Sequence, residues 1–187
     1  MAIFTSSARL IHTSRLPPGT TRAQALAILA DHEFFLTCDP HLHKFERITP
    51  SNAEPNQLSG PAIPHAIKER LNNDKTPLPP TEYYRVTDLM HTLPAGLWDT
   101  NVVSDYEFTD LPGTGVYVRV RSPMGIVMDT LWEVREATSS SDQSELELVE
   151  DVTITCSRFL VGIVKGQCDA GWKGVHGRLL GRLEGKA

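Results

Sequence analysis

The sequence predicts one α+β domain, residues 1–187, in which a curved antiparallel sheet of about six to seven strands wraps around a long C-terminal helix. Successive segments between residues 81 and 156 alternate apolar and polar side chains, which is typical of antiparallel strands with one wet face. Residues 158–184 instead repeat apolar side chains at intervals of three and four, which indicates a helix. No segment of helical period interrupts the strands, so a parallel βαβ sheet is disfavoured.

The N-terminal part supplies a strand and a helix. Residues 3–13 alternate loosely and predict a strand, which Pro17-Pro18-Gly19 ends. Thr21 and Gln24 have the spacing of a capping box, and the alanine-rich run after them predicts a helix that ends near Glu33.

The segment 48–80 has a different character. Seven prolines lie between Pro50 and Pro80, and only residues 65–71 have a helical pattern. Long irregular segments of a compact domain are usually lids, binding loops or excursions into solvent. The sequence leaves a lid over a ligand site and a solvent-exposed loop as alternatives.

Five strands are predicted after this segment, at 81–90, 101–109, 115–121, 126–135 and 145–156. Gly113-Thr114-Gly115 precedes a strand rather than a helix, so it is interpreted as a hairpin turn and not as a phosphate loop. In the last strand, Leu148, Val152 and Ile154 share one face and are expected to point inward.

The C-terminal helix carries an apolar stripe and six glycines. The stripe consists of Val161, Val164, Cys168, Trp172, Val175, Leu179 and Leu183. Each glycine costs about 1 kcal/mol relative to alanine in a helix interior, so packing must hold this helix. The glycines are expected to allow close approach to the sheet or to leave room for a ligand; the alternative is a break between Gly171 and Gly174.

Composition argues against several classes of function. The net charge is −5 and no run of Lys and Arg occurs, which argues against a nucleic-acid partner. No apolar run approaches the length of a membrane span, and the N-terminus lacks the pattern of a secretory signal. Three cysteines without short spacing predict a reducing, cytoplasmic setting. His41, His43 and Glu46 lack the spacing and the additional ligands of a metal site, so neither a metal nor a cofactor is expected.

The order of elements resembles the START-like superfamily, also called the SRPBCC or polyketide cyclase/dehydratase superfamily, and in particular a fungal branch of it. Four short motifs carry the resemblance: Tyr84-Arg85-Val86-Thr87-Asp88, Leu93-Pro94-Ala95-Gly96, Trp132-Glu133-Val134 and Leu148-Val149-Glu150-Asp151 through Cys156. The resemblance implies a helix-grip fold with a cavity between the sheet and the C-terminal helix. Its members carry lipids, sterols or hormones, or catalyse cyclisation, dehydration or isomerisation without a cofactor. They share no catalytic signature, so the resemblance assigns no residue a role.

Glu150 is the strongest candidate for a general acid or base. Strict alternation places it on the same face as Val152 and Ile154, where a carboxylate loses solvation. The alternatives are a structural glutamate paired with a donor, or a bulge that turns it outward. His176 on the C-terminal helix is the second candidate, and its alternative is a surface histidine.

Seven residues are predicted to line the ligand site: Ser104, Tyr106, Phe108, Met128, Thr130, Trp132 and Trp172. They combine hydroxyl groups with aromatic and apolar walls, the mixture typical of small-molecule pockets, although such residues are also common in cores. The expected ligand is a hydrophobic or aromatic small molecule. One hypothesis is a cofactor-independent cyclase, dehydratase or isomerase acting on a polyketide- or terpenoid-like secondary metabolite. The second is a non-catalytic lipid or sterol carrier, and the third is a protein-interaction module that uses the segment 48–80. A homodimer is left open.

Overall fold

The computed structural model describes residues 5–49, 63, 78–91, 99–137 and 145–186. Their elements, in chain order, are β1 Thr5–Arg15, α1 Arg22–Leu29, α2 His32–Thr37, β2 Leu42–Ile48, β3 Glu82–His91, β4 Asp99–Leu111, β5 Gly115–Ser122, β6 Ile126–Glu136, β7 Leu146–Ser157 and α3 Val161–Leu183. The strands form a seven-stranded antiparallel sheet in the order β1-β7-β6-β5-β4-β3-β2. The predicted fold class is confirmed.

Two elements differ from the sequence prediction, and both lie between residues 30 and 48. The predicted capping box of Thr21 and Gln24 is present, but α1 ends at Leu29 and a second helix, α2, begins at His32. The Asp31 side chain caps α2 by accepting a hydrogen bond from the Phe34 N–H at 3.2 Å. The strand β2 was not predicted because its apolar residues recur every third position rather than every second.

The register of the sheet confirms the predicted inward face. His12, Glu150 and Trp132 stand side by side on β1, β7 and β6, and their side chains point toward the helices. The core on this face lies between the sheet, α1, α2 and the C-terminal half of α3, and its members include Leu29, Phe35, Tyr84, Phe108, Val118, Trp132, Leu148 and Leu179.

The outer face of the sheet carries ion pairs between neighbouring strands, for example Arg85–Asp105 and Arg119–Asp129. These pairs are partly buried and join side chains across adjacent strands of this face. Ile63 packs on the same outer face in a small apolar cluster with Leu111, Tyr117 and Leu131. The rest of the segment 50–77, including the predicted helix 65–71, lies outside the described residues.

The helix α3 is continuous from Val161 to Leu183, so the predicted alternative of a break near Gly171 is wrong. A methyl group added at any of its six glycines would meet nothing within 4 Å. The glycines therefore do not serve close approach to the sheet. Side-chain packing of residues such as His176 and Leu179, which are 1% and 2% exposed, holds the helix in place.

A buried histidine joins α2 to the sheet. His32 lies with its Nδ1 3.0 Å from Glu82 Oε2 and its Nε2 3.0 Å from Asp110 Oδ1, and its ring stacks on Phe108. Tyr84 donates a further hydrogen bond to Glu82 Oε2. Burial lowers the pKa of His32, but the hydrogen bonds and charges of Asp110 and Glu82 outweigh it, so the pKa is raised. The imidazolium form is therefore stabilised in the folded protein.

Replacing exposed helix glycines by alanine should stabilise the protein. Gly166→Ala and Gly174→Ala should each raise the free energy of unfolding by about 0.5–1 kcal/mol, because the new methyl group meets nothing and the unfolded chain loses freedom. Urea titration measures this change. Gly115→Ala is the opposite control, since its Cβ would lie 1.8 Å from the Trp132 carbonyl oxygen and must destabilise the fold. Loss of stability in the two helix variants would contradict the packing described for α3.

Removing the His32 imidazolium should destabilise the protein in a pH-dependent way. A group whose folded pKa is raised contributes stability below its unfolded pKa, and this contribution is lost as the pH rises through the folded pKa. His32→Gln should therefore cost about 3 kcal/mol near pH 6 and clearly less near pH 9. Free energies of unfolding measured across this range test the prediction, with the exposed His43→Gln as the control. A cost independent of pH would contradict it.

Candidate functional site

Five polar residues converge between the first strand, the last strand and α3; we call them the Glu150 cluster. It comprises His12 and Ser14 on β1, Glu150 on β7, and Asp169 and His176 on α3. The two-residue period of β1 puts His12 and Ser14 on its inward face, and the register sets His12 directly opposite Glu150. Asp169 and His176 are seven residues, or two helical turns, apart and so face the same side of α3.

The members of the cluster form a continuous chain of polar contacts. His12 Nδ1 lies 2.8 Å from Glu150 Oε2, and His12 Nε2 lies 3.2 Å from Asp169 Oδ1. His176 Nδ1 lies 2.8 Å from Ser14 Oγ, while its Nε2 is 3.5 Å from Glu150 Oε2. Carboxylates only accept hydrogen bonds, so His12 makes both of its contacts when both ring nitrogens carry protons.

Two polar atoms at the centre of the cluster lack hydrogen-bond partners. His176 is 1% exposed, and its Nε2 is a buried nitrogen without a partner in the described part of the chain. The second carboxylate oxygen of Glu150, Oε1, likewise has no partner among these residues, and the side chain remains 15% exposed. Leaving a buried donor or acceptor unsatisfied costs about 1–3 kcal/mol, so the buried His176 Nε2 requires an explanation; Glu107 Oε2 on the outer face is another such atom, away from the cluster.

Two tryptophans enclose the cluster. Trp172 stacks on His12 with ring centroids 4.9 Å apart and planes 5° from parallel, and it meets His176 edge-on at 5.1 Å. Trp132 lies 5.1 Å from the His176 ring on the other side and is itself packed against Phe35. These rings cover the two imidazoles, whereas the Asp169 side chain stays 50% exposed to water.

A strip of inward-facing residues that stay partly accessible crosses the molecule from Glu150 to β3; we call it the interior strip. Its members are Glu150, Cys168, Trp172, Met128, Tyr106 and Asp88, whereas neighbouring inward residues such as Val118 and Val120 are fully buried. The Cys168 Sγ lies 4.0 Å from Met128 Sδ, and the Glu150 charge contributes to the raised pKa of the Cys168 thiol, about 11, which burial mainly causes. Cys168 and Met128 lie beside the Glu150 cluster, and Tyr106 and Asp88 lie at the far wall of the interior, with the buried Val120 of β5 between Met128 and Tyr106.

Asp88 and Tyr106 form the polar part of that far wall. Burial, followed by the charge of Asp39, raises the pKa of Asp88 to about 6, and its Oδ1 is buried without a hydrogen-bond partner in the described residues. Burial raises the pKa of the Tyr106 hydroxyl, and the charges of Asp88 and Asp39 raise it further. Tyr106 is therefore a hydroxyl donor at every physiological pH, and Asp88 becomes a donor in mildly acidic solution.

The structure distributes the sequence-predicted residues unequally. Glu150 points inward as predicted, and His176 is buried beside it, so the alternative of a surface histidine is wrong. Trp132 and Trp172 lie at the same cluster, whereas Met128 and Tyr106 lie along the interior strip.

The remaining three predicted ligand contacts are buried: the Ser104 hydroxyl is hydrogen-bonded to Ser122 Oγ at 2.8 Å, Phe108 lies among other aromatic rings, and Thr130 is 7% exposed. Their ligand-binding roles stay predictions.

The sequence analysis did not identify His12. The pattern of β1 alone does not distinguish an inward histidine from an outward one, because apolar side chains occur at both odd and even positions of this strand. The missing signal was the pairing of β1 with β7, which joins residues 138 positions apart in the chain.

None of the described helices has both the length and the apolar character that crossing a bilayer requires. Comparison with functionally curated proteins gives no match.

Two solved structures show the same fold at very low sequence identity. One is the crystal structure of the Zhui aromatase/cyclase from Streptomyces sp. R1128, with a TM-score of 0.60, 12% identity and coverage of 96% of this chain and 94% of that one. The other is the di-domain aromatase/cyclase StfQ from the steffimycin biosynthetic pathway, with a TM-score of 0.52, 10% identity and coverage of 92% of this chain and 50% of that one.

A family model matches residues 5–185, nearly the whole sequence, and the chain therefore belongs to the family described as domain of unknown function DUF7053.

Proposed function

We propose that this protein binds a hydrophobic or aromatic small molecule between the sheet and α3 and acts on it by acid–base chemistry, as a cofactor-independent cyclase, dehydratase or isomerase. The observation that carries the proposal is the buried His176 Nε2, which lacks a hydrogen-bond partner in the described residues and lies 3.5 Å from the Glu150 carboxylate, beside Trp132 and Trp172. A fold shared with two aromatase/cyclases agrees with it but does not assign the substrate.

Glu150 is the group placed to remove a proton from the ligand. Its Oε2 lies 2.8 Å from His12 Nδ1, while Oε1 has no hydrogen-bond partner among the described residues. Attack on a C–H bond next to a ligand carbonyl would transfer the proton to Oε1 and leave an enolate.

His176 is placed to handle the second proton. Ser14 holds its Nδ1, so Nε2 is the nitrogen directed toward the ligand and Glu150. In an aldol-type ring closure the enolate carbon bonds to a second carbonyl carbon of the same molecule, and the resulting alkoxide takes a proton from Nε2. For a dehydration, the proton held by Glu150 first passes to His176 Nε2. Glu150 then removes the remaining hydrogen from the same carbon while Nε2 gives its proton to the departing hydroxyl, which leaves as water as the C=C bond forms.

The far wall favours an oxygenated ligand. Tyr106 and protonated Asp88 present hydrogen-bond donors that suit a carbonyl or hydroxyl oxygen, at the opposite end of the interior strip from Glu150. A polyketide-like compound carries such oxygens along its length, whereas a simple lipid chain does not. This contrast is the reason to place a polyketide- or terpenoid-like intermediate before a fatty lipid.

The second candidate function is a non-catalytic carrier. The observation that favours it is the pairing of His12 with Glu150 and Asp169. A histidine between two carboxylates can simply hold a helix on a sheet, as His32 does. In a carrier the Glu150 cluster fixes α3 on the sheet, and the ligand leaves unchanged.

Replacing Glu150 by glutamine should separate the two functions. In an enzyme Glu150→Gln should lower turnover of a poly-β-ketone or terpenoid ketone at least about 100-fold while affinity changes little, because the base is lost and the shape is kept. Product formation is measured by mass spectrometry. The control is Asp151→Asn, the next residue on the outer face, paired with Arg9. Unchanged turnover in Glu150→Gln would reject the acid–base role, and tight binding without any conversion by the wild type would favour the carrier.

The far wall predicts a pH-dependent affinity for neutral ketones. Binding of the fluorescent aromatic ketone prodan should weaken about five- to tenfold as the pH rises through about 6, because Asp88 then loses the proton that it donates. In Asp88→Asn this change should disappear, since the amide donates at every pH. Fluorescence titration measures both curves, with Asp105→Asn on the outer face as the control. A wild-type affinity that does not vary with pH would contradict the assignment.

A further inference from the structure

We propose that one end of the domain docks on anionic lipid surfaces. This end consists of the turn Pro123–Gly125 between β5 and β6 and the junction between β7 and α3; we call it the tip. The two parts are neighbours because β6 pairs with β7, so that Val127 lies opposite Thr155 just before both segments leave the sheet. The proposal concerns a surface outside the Glu150 cluster and does not depend on its chemistry.

Exposed apolar side chains concentrate at the tip. Met124, Phe159 and Ile163 are 73%, 69% and 61% exposed, and they are the three most exposed large apolar side chains in the described part of the chain. Phe159 lies in the turn that precedes α3, and Ile163 lies in the first turn of the helix. Single exposed apolar residues need no explanation, but a group at one end of a molecule marks an interaction surface.

The backbone of the tip also contains an energetically unfavourable conformation. Met124 has φ 60° and ψ 23°, a left-handed conformation that is unfavourable for a residue with a side chain, and nothing buried compensates for it. The helix α3 begins after Leu160, which offers no side-chain cap, and its first turn contains no acidic residue. Its first N–H groups therefore receive no capping hydrogen bond from the N-cap side chain, and such N–H groups suit a phosphate group.

The charge of the tip is opposite to that of the whole protein. The chain has a net charge of −5, yet the segments 123–125 and 158–165 of the tip contain Arg158 and Lys165 and no Asp or Glu. Arg158 and Lys165 lie among the exposed apolar residues, and the Arg158 guanidinium lies 5.0 Å from the centre of the Phe159 ring. Apolar side chains flanked by Lys and Arg are the composition with which peripheral proteins bind anionic bilayers.

The tip is continuous with the interior strip. Leu160, Val161 and Val164 of α3 pack in one apolar cluster with Ile126 and Met128 of β6, and Cys168 belongs to the same cluster. A molecule that enters from a bilayer at the tip would therefore meet apolar side chains along the whole way to Met128. This arrangement favours a lipid surface over a protein partner as the occupant of the tip.

Co-flotation with vesicles tests the proposal. The full-length protein should float with phosphatidylcholine vesicles that contain phosphatidylserine and should not float with phosphatidylcholine alone, and added salt should weaken the binding. Phe159→Ser combined with Ile163→Ser should reduce the bound fraction at least tenfold. Ile11→Ser removes an equally large exposed side chain from the outer face of β1 and should bind like the wild type.

A second variant tests whether binding is lost for a reason other than misfolding, and the oligomeric state of the wild type and the variants is measured as well. Met124→Gly relieves the left-handed strain, so it should stay folded or gain stability while it binds vesicles less well. Absence of flotation with anionic vesicles would overturn the proposal, as would undiminished flotation of the Phe159/Ile163 variant. A concentration-dependent dimer that the same variant abolishes, without vesicle binding, would also overturn it and assign the tip to a second copy of the chain.

Discussion

The pairing of the first strand with the last is the constraint on which the rest of the structure depends. It sets β1 beside β7 over their whole length, from Thr5–Ser157 to Arg15–Glu147. Because of this pairing α3 lies over two strands rather than one, and His12 and Ser14 come within hydrogen-bond distance of groups on β7 and α3. A shift of one residue would turn His12 outward and leave Glu150 without a partner in an apolar interior.

Two histidine–carboxylate clusters contain the same kinds of groups but differ in how many of their polar atoms have hydrogen-bond partners. In the His32 cluster both ring nitrogens are hydrogen-bonded, and Tyr84 and Arg47 also contact the Glu82 carboxylate. In the Glu150 cluster one imidazole nitrogen and one carboxylate oxygen stay without partners in the described structure. A fully satisfied network stabilises a fold, whereas an incomplete one costs stability and persists where a ligand completes it. The His32 cluster therefore has the features of a structural contact and the Glu150 cluster those of a candidate functional site, independently of any related protein.

Most of the architecture could be predicted from the sequence because it rests on local patterns. Alternation between residues 81 and 156 predicted β3 to β7 and the inward position of Glu150, and the apolar stripe predicted α3. The errors lie where local patterns are weak: β2 is an edge strand with a three-residue period, and His12 depends on a contact between distant parts of the chain. The tryptophans around the cluster could be named from the stripe and the strand, but their stacking on His12 and His176 could not, since it depends on how α3 lies on the sheet.

The glycines of α3 lower the stability of the helix, and this bears on how a ligand could pass between the tip and the interior. Because none of the six contacts the sheet, each lowers the stability of the helix without a packing benefit. The C-terminal half is anchored by buried residues such as His176 and Leu179, whereas the N-terminal half from Val161 to Cys168 has only half-buried or exposed side chains. Local opening costs least where few apolar contacts are lost, so the N-terminal half of α3 is the part of this helix that can move away from β6 most cheaply. Together with Leu160, this half packs on Ile126 and Met128, and a poorly stabilised helix segment at that place suits the passage of a ligand from the tip into the interior.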